Sequence, residues 1–250
     1  MDLVTTLLLI VGGYSVSAAA NGINQVLEKE YDALMERTKN RPLPAGRMKS
    51  SEAVLFSGLA LVFGTLCLGM INPLTAFIGM SSFVLYAFLY TPLKRYSTLS
   101  VAIGAIPGAL PALIGVVAFE GGITTLAIVL FLIQFLWQFP HFWAIAYLSF
   151  DDYDKAGYKL LPVTKSGKID SNLGAYSALY AALIFPTIGW AYYSGVETHW
   201  IALAGVLICT MGYMLMSIRL QLNPSRNTAL GLMFSSFIYL PLVLALYLIG

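Results

Sequence analysis

Charge is scarce in this chain. Its 250 residues include 14 Lys and Arg and 12 Asp and Glu, so 10% are charged, while 58% are hydrophobic. A soluble domain carries about 25% charged residues. A chain this apolar cannot cover itself with polar surface, which excludes an ordinary soluble domain and points to a bilayer. A formal net charge of +2 with no basic tail excludes an electrostatic nucleic-acid binder. Cysteine is nearly absent. Cys67 and Cys209 both sit inside apolar runs and read as small buried hydrophobes, not as a disulfide or a metal pair. Met1 is followed by Asp2 with no basic run, so no cleavable signal peptide is expected.

What is abundant is long apolar sequence. Eight stretches are long enough to span, near 3–21, 53–71, 74–91, 98–119, 123–148, 173–193, 199–219 and 228–249. A span needs about 20 residues, and helices satisfy their own backbone in lipid. The fold class expected is an all-α polytopic membrane bundle. Pro107, Pro111, Pro140, Pro186 and Pro241 fall within spans and predict kinks. The connections after spans one, three, five and seven contain all 14 basic residues. The other side has Asp2, Glu120 and Glu197 and no Lys or Arg. By the positive-inside rule the charged side is cytoplasmic. That puts Met1 outside with no basic anchor, and the expectation is that a first helix is missing upstream.

The densest charge lies in NQVLEKEYDALMERTKNRPLPAGRM, residues 24–48. Asn24, Glu28 and Asp32 are spaced i, i+4, i+8. If the first helix continues past Gly22, they share one face. Hard oxygen donors in that array suit Mg²⁺ together with substrate phosphates, although the same residues would also serve as a solvated helix end. A second acidic cluster, Asp151, Asp152 and Asp154, follows span five on the same side. Arg37, Arg41, Lys94 and Arg95 share that side and can take phosphate oxygens, Arg as a bidentate fork and Lys as a point charge. Two acidic clusters with four cations suit loss of diphosphate from an allylic prenyl chain, with the apolar bundle housing the chain. His141, within WQFPHFW, is either a hydrogen-bonded member of an aromatic patch or a contact to a flat acceptor, including an iron ligand. His199 beside Trp200 reads as interfacial.

The array N-x3-E-x3-D followed by MERTKNRPLP resembles the first signature of the UbiA superfamily of intramembrane prenyltransferases. YTPLKRYSTLSVAIGAIPGALPALIG (90–115) and WQFPHFWAIAYLSFDDYDKAGYKLLPV (137–163) are similar to its heme-farnesylating branch, the heme O synthases. The resemblance implies one prenyltransferase domain over 1–250, with eight of the family's nine helices present. It implies transfer of farnesyl from farnesyl diphosphate to a vinyl group of heme b, with Mg²⁺ as cofactor. Asn24, Glu28 and Asp32 would form one metal site, and Asp151 with Asp152 the other, Asp32 and Asp152 being the catalytic pair. Arg37, Arg41, Lys94 and Arg95 would hold diphosphate, and His141 would meet heme. The implied setting is the bacterial inner membrane, with the site on the cytoplasmic side and heme A synthase or terminal oxidase assembly as partners. Two features depart from the family pattern: Glu28 stands where Asp is frequent, and Lys155 replaces the last Asp of D-x3-D. The alternatives are another aromatic or quinone-precursor acceptor and, from a different class, a membrane transporter. A transporter places charge near the midplane, whereas here it lies at one face.

Overall fold

The computed structural model describes residues 2–196 and 199–249; the placements of Met1 and Glu197 on the uncharged side lie outside the described residues. The elements are α1 (Leu3–Leu27), α2 (Lys29–Asp32), α3 (Ser50–Ile71), α4 (Pro73–Val84), a π-helical turn (Leu85–Tyr90), α5 (Thr91–Leu93), α6 (Ser100–Glu120), α7 (Thr125–Leu148), α8 (Phe150–Lys155), α9 (Leu173–Ala182), α10 (Ile184–Tyr193), α11 (Trp200–Leu222) and α12 (Arg226–Ile249). Among the described residues eight helical runs are long and apolar enough to cross a membrane. They coincide with the eight expected spans.

The helix ends follow from local chemistry. Asp2 caps α1 by accepting from the Thr5 N–H at 2.7 Å. Asn72 alone joins α3 to α4: its Oδ1 accepts from the Thr75 N–H at 2.8 Å, and Pro73 occupies the first helical position. Gly121, at φ +80°, ends α6 in the left-handed region. The prolines within spans lie both inside continuous helices and at a break. α6, α7 and α12 continue through Pro107, Pro111, Pro140 and Pro241. The sixth span is interrupted at Leu183, between α9 and α10, where Pro186 supplies no N–H for the Ala182 carbonyl.

The chain forms two compact units, Met1–Thr124 with Asp151–Lys159, and Thr125–Phe150 with Leu160–Gly250. In the first, α3 carries Leu55, Leu59, Phe63 and Leu66 exposed while Ala53, Ser57 and Gly64 are buried. Large residues outside and small ones inside is the pattern of a helix facing lipid. Gly64 lies against α1, where an added Cβ would be 2.8 Å from the Gly12 carbonyl oxygen. In the second unit, Gly174 lets α9 approach α11, since a Cβ there would be 2.3 Å from the Gln221 backbone nitrogen. Polar groups inside this unit are paired among the described residues, as lipid requires. Tyr213 donates to the Trp137 carbonyl at 2.9 Å, Trp137 Nε1 donates to the Ser236 carbonyl at 3.0 Å, and Thr210 and Tyr239 share a hydrogen bond of 3.1 Å. Of the two cysteines, Cys67 is buried as expected; Cys209 is partly exposed, because it lies on α11 next to the outward-facing Ile208.

Candidate active site

The first helix does continue past Gly22, to Leu27, and the i to i+4 backbone ladder carries on beyond it. Glu28 N–H donates to the Asn24 carbonyl at 2.9 Å and Asp32 N–H to the Glu28 carbonyl at 2.8 Å. Asn24, Glu28 and Asp32 therefore stay in register and are all buried. Asn24 Nδ2 donates to Glu28 Oε2 at 2.9 Å and to Thr91 Oγ1 at 3.0 Å. Both amide protons are then engaged, which leaves Oδ1 as the acceptor of this side chain.

Thr91 reaches Asn24 because of the π-helical turn. Its backbone N–H bonds the Tyr86 carbonyl five residues back, and its hydroxyl donates to the same oxygen at 2.8 Å. Pro92 follows and cannot donate to the carbonyl four residues earlier, so the helix widens here. Single π turns of this kind are frequent at functional sites. The sequence signal here is Thr-Pro at a span end.

Each buried carboxylate has a cation. Lys94 Nζ lies 2.6 Å from Glu28 Oε1, with both side chains under a tenth exposed. Arg41 Nη1 lies 2.8 Å from Asp32 Oδ2. Burying an isolated carboxylate is costly unless it is paired and hydrogen-bonded, so these pairs explain how four ionic groups persist at a helix end. Thr38 Oγ1 donates to the Asp32 carbonyl at 2.9 Å and folds the RTKNRPLP loop back over the helix end.

The second acidic cluster joins the first inside the same unit. The Arg37 N–H donates to Asp152 Oδ2 at 3.4 Å, and its guanidinium donates to the Tyr153 hydroxyl at 3.4 Å. The Lys159 N–H donates to the Lys94 carbonyl at 2.7 Å, tying the 151–159 segment to the end of α5. Asp152 is partly buried, 4.0 Å from Lys155 Nζ, while Asp151 and Asp154 are exposed. Of the expected pair Asp151 and Asp152, it is Asp152 that meets the loop after the first cluster, through the Arg37 N–H, while Asp151 is exposed. Among the described residues no three His, Cys, Asp or Glu side chains form a ready-made cage. The two buried carboxylates are instead each held by a cation.

Four tyrosines complete the site, and the sequence reading missed all of them. Lys94 Nζ lies 4.7 Å from the Tyr90 ring centre and 5.4 Å from that of Tyr158. The Arg95 guanidinium stacks on Tyr31 at 4.2 Å, and that of Arg37 lies over Tyr153 at 5.8 Å. These faces hold the cations in place. Burial, and then the Glu28 and Asp32 carboxylates, push the Tyr158 phenol well above its usual range, so it stays protonated as a donor. The four tyrosines lie within or next to the quoted motifs, and their spacing alone carries no signal.

His141 lies in the second unit. It is buried, stacked on Trp137 at 4.7 Å between ring centres, edge-on to Phe237 at 5.2 Å, and 2.7 Å through Nδ1 from Ser236 Oγ. The aromatic patch expected around it is present. His199 is exposed beside Trp200, at the start of α11.

Comparison with known proteins agrees with this architecture. The chain is 43% identical over 97% of its length to protoheme IX farnesyltransferase of Cytophaga hutchinsonii, covering 84% of that protein. It is 41% identical over its whole length to the protein of the same name from Christiangramia forsetii, covering 83% of it. Two solved structures share the fold. One, of digeranylgeranylglyceryl phosphate synthase, has a TM-score of 0.79 at 22% identity over 100% of this chain and 86% of the other. The second is a UbiA homolog from Archaeoglobus fulgidus bound to GPP and Mg²⁺, with a TM-score of 0.67 at 17% identity over 98% and 88%. Residues 1–238 match the UbiA prenyltransferase family, and the chain belongs to that family.

Proposed function

We propose that this protein transfers a farnesyl group from farnesyl diphosphate to a vinyl group of heme b, giving heme O and diphosphate. The observation that carries the reading is the set of buried, cation-paired carboxylates at the end of α1, Glu28 with Lys94 and Asp32 with Arg41. The relatives about 40% identical over nearly the whole chain are named protoheme IX farnesyltransferase, which selects the acceptor and the chain length. The family match spans both units, which supports reading residues 1–250 as one catalytic domain.

The pairs keep the buried charges compensated and leave each member able to meet substrate. Each is a carboxylate and a cation held within 2.8 Å. A diphosphate with its divalent cation offers both members a new partner of the right sign, so the pairs can exchange partners without leaving a buried charge bare. The donor set fits a hard cation: Asn24 Oδ1 and carboxylate oxygens of Glu28, Asp32, Asp151 and Asp152 would hold Mg²⁺, with Asp151 supplying an exposed outer oxygen. The metal would stabilise charge on the diphosphate oxygens as a Lewis acid.

The chain's own residues do the rest. Lys94, freed from Glu28, and Arg41, freed from Asp32, would take diphosphate oxygens, joined by Arg37 and Arg95. Their charge matters more as the C–O bond of the allylic diphosphate breaks, because the leaving group gains negative charge in the transition state. The Tyr158 phenol adds a protonated donor beside Lys94. Loss of diphosphate leaves an allylic farnesyl cation; the terminal vinyl carbon of heme bonds to it, and the cation so formed next to the porphyrin ring takes up water and gives a proton to the medium or the released diphosphate, leaving the hydroxyethylfarnesyl substituent. His141 is the proposed heme contact. By the charge asymmetry of the connections, this chemistry faces the cytoplasm across the bacterial inner membrane.

The test is direct. The protein in liposomes, given farnesyl diphosphate, MgCl₂ and heme b, should yield a farnesylated, hydrated heme by mass spectrometry. Prenylation of a quinone precursor or another aromatic acceptor with heme untouched would assign a different acceptor. Absence of prenyl transfer altogether would refute the proposal.

A further inference from the structure

Ser236 of α12 is not part of any sequence motif, yet it determines what His141 can do. Ser236 Oγ lies 2.5 Å from the Met233 carbonyl oxygen, three residues back on its own helix. A backbone carbonyl can only accept, so in this hydrogen bond the serine hydroxyl is the donor, a common arrangement for serine in a membrane helix. A hydroxyl has one proton. Ser236 Oγ therefore has only lone pairs to offer His141 Nδ1 at 2.7 Å, and Nδ1 must be the donor. In a neutral imidazole the other nitrogen is then unprotonated. The chain of donation is Nδ1–H to Ser236 Oγ, and Ser236 O–H to the Met233 carbonyl.

We infer that Ser236 is a positioning residue: it holds His141 as the Nδ1–H tautomer and leaves Nε2 as a bare lone-pair donor. Neutral imidazole in water favours the opposite tautomer, so this state depends on the serine. Packing against Trp137 and Phe237 fixes the plane of the ring, and within that plane a 180° flip would take Nδ1 away from Ser236 Oγ. Trp137 is itself tied to α12 by its indole N–H on the Ser236 carbonyl at 3.0 Å. One residue thus fixes both the tautomer and the stacking partner of the histidine. A bare Nε2 can ligate a metal centre such as heme iron or accept a proton from an acceptor substrate; a protonated one can do neither. The choice of heme iron rests on the proposed function, while the tautomer does not.

Two histidines make the experiment simple. At the start of α11, His199 Nδ1 accepts from the Ile201 N–H at 3.4 Å, so when neutral its proton is on Nε2, the reverse of His141. Protein labelled with ¹⁵N-histidine, in liposomes at about pH 8, above the ordinary histidine range, should show two rings of opposite tautomer by solid-state NMR, with His199→Gln removing one. Ser236→Thr should keep the His141 pattern, and Ser236→Ala should shift it toward the Nε2–H form. Heme b added to the wild type and Ser236→Thr should shift the Soret band and move the His141 Nε2 resonance. Ser236→Ala should bind heme about 2- to 10-fold more weakly, the range of one hydrogen bond. An Nε2–H wild type, or a Ser236→Ala spectrum identical to wild type, overturns the inference. The expected tautomers with no response to heme would support Ser236 as the positioning residue and refute His141 as the heme contact.

Discussion

Replacing Lys94 by Met tests the central feature of the site. Lys94 and Glu28 are 2.6 Å apart and under a tenth exposed. At an effective dielectric of about 20 their attraction is roughly 6 kcal/mol, against a desolvation penalty of several kcal/mol per ion, so the intact pair contributes little net. Removing one member is different. In Lys94→Met, Glu28 keeps only the neutral Asn24 amide at 2.9 Å and the Tyr158 phenol nearby, and the expected loss is about 3–5 kcal/mol. Glu28→Gln should cost less, about 1–3 kcal/mol. It leaves Lys94 over the Tyr90 and Tyr158 faces, each worth about 0.5–2 kcal/mol to a desolvated ammonium. The double variant should be no less stable than Lys94→Met and should show a coupling of about 2 kcal/mol or more. Unfolding can be followed in detergent with a thiol-reactive dye in a Cys209→Ala background, which leaves the buried Cys67 to report. At about 2–4 °C per kcal/mol for a chain of this size, Lys94→Met should melt roughly 6–20 °C below the parent. A shift under about 2 °C, or additive single effects, would refute the claim that Glu28 depends on Lys94.

Asp32→Asn and Asp152→Asn should each reduce turnover by about 100-fold or more, the scale of one lost electrostatic contact to a leaving group; Asp151→Asn, at an exposed position, should cost far less, and equal effects at 151 and 152 would contradict the unequal placement. Burial and the adjacent carboxylates raise the Tyr158 phenol above its unfolded value of about 10. Its contribution is therefore complete below about pH 10 and lost as pH climbs toward the folded value, so Tyr158→Phe should lose less stability than the parent between about pH 9 and 11, measured by the same dye after a brief alkaline step. Gly64→Leu should separate α1 from α3 and destabilise by at least about 1–3 kcal/mol, since even a Cβ meets the Gly12 carbonyl at 2.8 Å; a fully stable variant would show that this contact is dispensable. His141→Ala should weaken heme binding more than binding of a diphosphate analogue, read by absorbance and by calorimetry.

The spans, their number and the grouping of basic connections are determined by sequence alone, because lipid imposes a single requirement on every residue it touches. A run of about 20 apolar residues must be a helix there, and Lys and Arg must lie beyond its ends. The array Asn24, Glu28, Asp32 is equally local: the helical period sets it, and α1 continuing to Leu27 realises it. Tertiary structure alone decides which charges meet. Lys94 lies 66 residues from Glu28 in the chain and Asp152 lies 115 from Arg37, and no periodicity relates positions so distant. The widened turn that brings Thr91 to Asn24, the tyrosine faces that hold Lys94, Arg95 and Arg37, and the exposure of Asp151 all depend on packing between elements. So does Ser236, whose one proton goes to Met233 and thereby fixes the tautomer of a histidine 95 residues earlier in the chain.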